Sequence, residues 1–222
     1  SKAHDHLPRI KPFENEYWKF EGKDWFEFDP CSDIHQAPEW YGRDLIELIQ
    51  KSKVKHEFGC HTFSHLDCRD GVCPPDVLNG ELFECNKVSE GIVEKYNSFV
   101  HPGHTVGNLS VLEEMGYTSY QTDPGNILAY PERVGQLWNF KRTMEFAKRE
   151  GWSVKYHIRF YKKIIDRAIQ SNTVCNFWFH PSFSAEFAQH VFPAILEYLD
   201  TKRSEVYIAT VGDYVKILNE SI

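Results

Sequence analysis

Apolar residues in this chain fall into two alternating patterns: stripes that repeat every three to four positions, and short continuous runs. Glycine, proline and polar clusters separate them. Residues 38–51 open on Pro-Glu and set Leu45, Ile46, Leu48 and Ile49 at helical spacing, which predicts a helix. Val54 to Cys60 is short and bounded by polar residues and predicts a strand. Residues 75–96 carry Val77, Leu78, Leu82, Cys85, Val88, Ile92 and Tyr96, a second helical stripe. Ser98 to His101 predicts a strand cut off by Pro102, and Asn108 is placed to cap a helix that runs through Leu109, Leu112 and Met115 to Gly116.

The beat continues to the end of the chain. Residues 117–121 and 134–140 are strand-like, and 156–170 form an amphipathic helix with Ile158, Tyr161, Ile164, Ile165 and Ala168. Val174 to Phe179 reads as an apolar strand buried on both faces. Residues 184–202 are helical with Pro193 as a kink, Val206 to Ala209 is a strand, and Asp213 falls in the first turn of a last helix. Strands alternating with helices predict parallel β/α units, an open sheet or a closed barrel. Residues 1–36 are rich in aromatics (Tyr17, Trp18, Phe20, Trp25, Phe26, Phe28) without a clean period. They read as an irregular segment draped on one domain that occupies 37–222.

Composition narrows the partners. With 222 residues, 41% hydrophobic and 15% aromatic, the chain can bury one substantial core. A net charge of -7 leaves no overall footprint for nucleic acid or an anionic membrane, and sugars or small near-neutral substrates stay open. No apolar run approaches the roughly 20 residues of a membrane span, and no signal-peptide core is present. Six cysteines are too few for a disulfide scaffold, although Cys68 and Cys73 flank a turn and could pair; a reducing cytoplasm is the expectation.

The candidate chemistry is histidine at strand ends. His61 and His65 follow the strand 54–60, His101 closes 98–101, and His180 closes 174–179. In parallel β/α folds the carboxyl ends of strands converge on the face that carries the site. Two histidines four apart can share one side of a helical turn and one ion, with Gly59 admitting a sharp turn before them. His180, stiffened by Pro181, suits a general acid or an oxyanion donor. His101-Pro102-Gly103-His104 allows a close backbone approach to a ligand. Plain readings stand beside these: a surface histidine at 61 or 65, a core histidine at 180, an ordinary loop at 101–104.

Three blocks in order resemble the polysaccharide deacetylase family, the NodB-homology domain. They are His56-Glu57-Phe58-Gly59-Cys60-His61-Thr62-Phe63-Ser64-His65, Phe99-Val100-His101-Pro102-Gly103 and Phe177-Trp178-Phe179-His180-Pro181. The resemblance spans roughly residues 38–215. It implies an α/β fold, a distorted and incomplete (β/α) barrel of parallel strands. It also implies a divalent metal, usually zinc, and removal of an acyl group from an amide of a carbohydrate-like substrate. His61 and His65 would be metal ligands and His180 the catalytic acid. His101, Pro102, Gly103, His104 and Trp178 would line the substrate groove.

The sequence departs from that family in two ways. The arginine often found in the loop around Pro102 is absent, and no Asp-Asp pair occurs anywhere in the chain. The family's paired aspartates close its first strand, one as a metal ligand and one as base. The expectation is that this strand lies upstream of Ser1; the competing reading is an inactive domain retained for carbohydrate binding or assembly. Asp5, between His4 and His6, is a poor substitute because it sits near the terminus. An unrelated metal-dependent barrel, such as a sugar isomerase, would need more strand-end carboxylates than the chain offers.

Overall fold

The structure, a computed structural model, describes residues 19–20, 23–24, 26–27, 30, 32–182 and 184–221. Asp5, Tyr17, Trp18, Trp25, Phe28 and Cys31 lie outside the described residues. The chain divides into two units, Ser1–Tyr117 and Thr118–Ile222. The boundary expected after residue 36 falls inside the first.

In the first unit, β1 (Lys19–Phe20) and β2 (Lys23–Asp24) pair antiparallel. After a 3-10 turn at Pro38–Trp40 comes α1 (Arg43–Gln50). Its apolar stripe made the helix legible, yet Leu45, Leu48 and Ile49 are exposed. The stripe of α2 (Pro75–Val88) is buried instead, at Val77, Leu78, Leu82 and Cys85. This helix ends at Val88 rather than running to 96: the Ser89 N–H donates to the Cys85 carbonyl, and Gly91 turns the chain at φ 75°. Then come β3 (Ser98–Phe99) and α3 (Leu109–Glu114), the latter ended by Gly116 at φ 78°.

The strand expected over 54–60 contracts to one parallel bridge. The Cys60 N–H donates to the Ser98 carbonyl and the Val100 N–H to the Cys60 carbonyl, both at 2.9 Å. Lys53, Lys55 and His56 are exposed, so only the end of the run has an apolar reason to be buried. Gly59 matters for closeness: a Cβ there would sit 2.8 Å from Ser98 Oγ. Asn108 does occupy the N-cap position of α3 but sits at φ 51° and makes no side-chain cap. Its Nδ2 donates at 2.9 Å to the carbonyls of both Cys68 and Cys73, pinning the loop between them. Both cysteines are free thiols.

In the second unit, β4 (Ser119–Thr122) runs parallel to β6 (Leu137–Lys141), and β5 (Glu132–Val134) lies antiparallel on the other side of β6. The expected strand 134–140 is thus split by a turn at Gly135, φ 59°. β7 (Met144–Glu145) pairs parallel with β8 (Phe177–Trp178), Glu145 opposite Trp178. β8 is shorter than the expected 174–179 and only half-buried, which corrects the reading of a strand covered on both faces. Val206 to Ala209 belongs to no ladder among the described residues, and Tyr207 and Ile208 are exposed. In neither unit do the described strands close into a barrel.

Helices complete this unit. Ser153 caps α4 (Val154–Gln170) by accepting from the Tyr156 N–H. A π turn at Phe187–Val191 leads into α5 (Phe192–Thr201), where Pro193 contributes no donor and crowds the turn before it. Thr210 caps α6 (Val211–Glu220) by accepting from the Asp213 N–H. Its Val215 packs with Trp138 and Phe140 of β6. The larger core gathers round Phe146, with ring centres 4.4 Å from Tyr161, 5.0 Å from Phe187 and 5.6 Å from Phe192. Among the described residues no helix is long and apolar enough to cross a membrane.

Phe146→Ala is expected to cost about 3–5 kcal/mol in urea unfolding, the range for emptying an aromatic core position. The exposed Leu196→Ala should stay within about 0.5 kcal/mol. Equal effects would mean that Phe146 is not the centre of this core.

Candidate functional site

Cys60 fixes the start of the His61–His65 turn through its bridge to β3. From there the chain takes an irregular path: Thr62 lies at φ 62° and His65 at φ 61°. This is not the helical turn that the four-residue spacing suggested. The side chains of the turn hold it. Thr62 Oγ1 accepts from the His65 N–H at 2.9 Å. Glu81, buried on α2, accepts from the Ser64 N–H and from Ser64 Oγ, each at 2.7 Å.

The turn brings the two imidazoles together, with ring centres 4.9 Å apart and planes 76° to one another. Both residues are exposed. His61 Nδ1 lies 2.7 Å from the Val100 carbonyl. A carbonyl only accepts, so the proton is on Nδ1 and the neutral ring carries its lone pair on Nε2. Metal-ligating histidines are commonly oriented by such a bond.

In donor type the pair suits a borderline metal such as zinc. It is nevertheless only a pair. Among the described residues no group of three or more His, Cys, Asp or Glu side chains is placed to hold a metal ion. Asp5, the substitute ligand considered from sequence, lies outside the described residues.

The loop expected to line a substrate groove divides. His101 is 1% exposed, its Nε2 donates to the Gly107 carbonyl at 3.1 Å, and its ring meets Phe99 edge-on at 4.8 Å. Pro102 is buried, whereas Gly103 and His104 are exposed at φ 53° and 60°. Thr105 joins this loop to the one after His65, donating to the Pro102 carbonyl and accepting from the Cys68 N–H. Gly107 is required there, because a Cβ would come within 2.6 Å of the Asp70 nitrogen and the Cys68 carbonyl oxygen.

The thiols nearby follow their surroundings. Burial pushes Cys73 up to about 12 and raises Cys68 as well. Cys60 is drawn down to about 7, chiefly by its hydrogen bond with Cys85.

In the second unit His180 follows β8 and is exposed, not at the end of a buried strand as expected. Its ring centre is 5.4 Å from that of Trp178, and its Nδ1 is 3.8 Å from Glu145 Oε1. That separation is too long for a hydrogen bond. Beside them the Arg142 guanidinium lies 4.8 Å from the Trp178 ring centre, with Nε donating to Gln121 Oε1 at 3.1 Å. Burial lowers the Arg142 pKa, and the Asp123 charge opposes that shift.

Arg142 and Glu145 were missed from sequence. The alternation Met144-Glu145-Phe146, with Met144 and Phe146 buried, was a signal for Glu145, and none marked Arg142.

In comparison with known proteins, the chain matches no family model and no curated protein sequence. The likeness to polysaccharide deacetylases rests on the three short blocks.

Glu81→Gln places an amide donor against one of the two Ser64 donors. It is expected to lower stability by about 1.5–3 kcal/mol, the worth of a hydrogen bond to a charged group, and to shift the His61 and His65 ring resonances. Glu84→Gln, which alters a contact with exposed Lys87, should stay within about 0.5 kcal/mol. Unmoved histidine resonances in Glu81→Gln would remove the carboxylate from its positioning role.

Proposed function

We propose that the chain is a metal-dependent hydrolase domain of the polysaccharide deacetylase kind, removing an acyl group from an amide of a carbohydrate-like substrate. The carrying observation is the His61–His65 pair, 4.9 Å apart, with His61 steadied by the Val100 carbonyl. In this reading His61 and His65 hold a divalent ion, zinc by donor type. The ion, when bound, polarises the scissile carbonyl and lowers the pKa of water. His180 hands a proton to the leaving amine, with Glu145 Oε1 3.8 Å from its Nδ1.

His104 and Trp178 contact the substrate, and Gly103 lets it approach the backbone. His101 and Pro102 act from the interior by shaping that loop. An incomplete (β/α) barrel and a cytoplasmic setting belong to the same proposal. Five free cysteines among the described residues support a reducing compartment. A second reading, an inactive domain kept for carbohydrate binding, draws on the pair's having no third ligand among the described residues.

Zinc calorimetry and acetate release from N-acetylated sugar oligomers separate the two. The hydrolase reading expects zinc binding that His61→Ala and His65→Ala each weaken at least about a hundredfold. It also expects His180→Asn to lower kcat by about 10²–10⁴ with zinc affinity little changed. Zinc binding without acetate release would favour the inactive domain. Zinc affinity indifferent to both histidines would remove the metal site altogether.

A further inference from the structure

The net charge of -7 conceals an uneven distribution. From Lys148 to Arg167 the chain carries seven cationic side chains against Glu150 and Asp166 alone. On α4, Lys155, Arg159, Lys163 and Arg167 follow one another at four-residue intervals, and all four are exposed. At about 1.5 Å of rise per residue they form a line about 18 Å long. The other side of the helix, His157, Tyr161, Ile165 and Ala168, is buried.

None of the four makes an ion pair with a carboxylate among the described residues. Asp166, the acid closest in sequence, accepts from the Tyr198 hydroxyl instead. Lys148 is engaged elsewhere, with Glu186 at 2.9 Å. At the amino-terminal end of the line, Trp152 packs against Tyr156 and Phe160 with ring centres at 4.6 and 4.9 Å. Tyr156 is 40% exposed, and Arg159 lies 5.3 Å from its ring centre.

We propose that this face of α4 binds an acidic polysaccharide, a linear polymer with carboxylates on its sugar rings. The charge complementarity is direct: a row of cations without carboxylate partners, winding about a third of a turn along the helix, opposite a row of anions. Edges of Trp152 and Tyr156 at one end suit the mixed C–H and hydroxyl surface of a sugar.

Other polyanions fit less well. Duplex nucleic acid carries a charge about every 1.7 Å, and a chain of net charge -7 repels so dense a polymer. The three rings pack against one another and beside Arg159, so they are not spread out as separate faces for bases. An anionic bilayer calls for apolar side chains that insert, and the apolar side of α4 belongs to the core around Tyr161 and Ile165. This surface stands independently of the hydrolase reading.

Fluorescently labelled polygalacturonate, followed by anisotropy, tests the proposal, beside neutral dextran, duplex DNA and phosphatidylserine vesicles. Polygalacturonate is expected to bind, dextran not, and binding should weaken as salt rises. Changing Lys155, Arg159, Lys163 and Arg167 together to Gln should weaken binding at least about tenfold, since each exposed pair contributes a fraction of a decade. Changing the exposed Lys51, Lys53 and Lys55 to Gln should leave it within about twofold. Should the quadruple variant lose its circular dichroism, Arg159→Gln with Lys163→Gln is expected to weaken binding about threefold. The proposal is overturned if the chain does not bind polygalacturonate, if it prefers DNA or vesicles, or if the folded α4 variants bind as the unaltered chain does.

Discussion

A buried carboxylate and a strained turn need each other in the first unit. Thr62 and His65 hold backbone conformations that cost an L-residue roughly 1–2 kcal/mol each, and Thr62 is β-branched. Glu81, 3% exposed, would be expensive to bury without partners. Its two bonds to Ser64 meet both demands at once: the carboxylate gains its donors, and the turn gains an anchor at its centre. The packed stripe of α2 fixes where Glu81 can be, and the Cys60 bridge fixes where the turn begins. Only two imidazole positions are left to be decided, and the Val100 carbonyl settles one of them.

The second unit solves a similar positioning problem with a hydroxyl. Tyr161 is fully buried, and its oxygen accepts from the Ala147 N–H at 3.0 Å. Its proton is shared between the Glu145 and Ala147 carbonyls, both at 3.1 Å. The segment that carries Glu145 is thereby tied to α4, while β7 and β8 set Glu145 opposite Trp178. His180 stands two residues beyond Trp178, so its approach to Glu145 follows from strand register. Exposed groups borne on a rigid support of this kind can keep their geometry despite facing water.

The sequence revealed shape more readily than burial. The stripe of Leu45, Leu48 and Ile49 correctly announced a helix, because a 3.6-residue repeat reports which side chains share a face. It said nothing about whether a partner covers that face, and here the three are exposed. Val54 to Cys60 and Val206 to Ala209 read as strands from composition, but a strand also needs a ladder. Only Cys60 in the first of these runs pairs, and only with Phe99. The His61–His65 association was legible because short spacing keeps two side chains close under several backbone conformations. The left-handed conformations of Thr62 and His65 were not, since neither is glycine. Asn108 shows the same limit: its type suits a cap, and its position beside two carbonyls gave it another use.

Charge illustrates the same separation between a sum and an arrangement. A net charge of -7 governs what a distant polyanion feels, and on that scale the chain repels. At contact the screening length of about 8 Å in physiological salt is less than half of the 18 Å or so spanned by Lys155 to Arg167. A ligand lying on α4 therefore responds mainly to those four cations. The overall sign acts as a filter on charge density: it opposes polymers whose repulsion accumulates along a long, densely charged backbone. It costs little to a sparsely charged one that touches the protein only along the stripe. Total charge thus ranks partners by their charge density at long range, and the charges segregated on one helix decide which of the sparsely charged ones are held at contact.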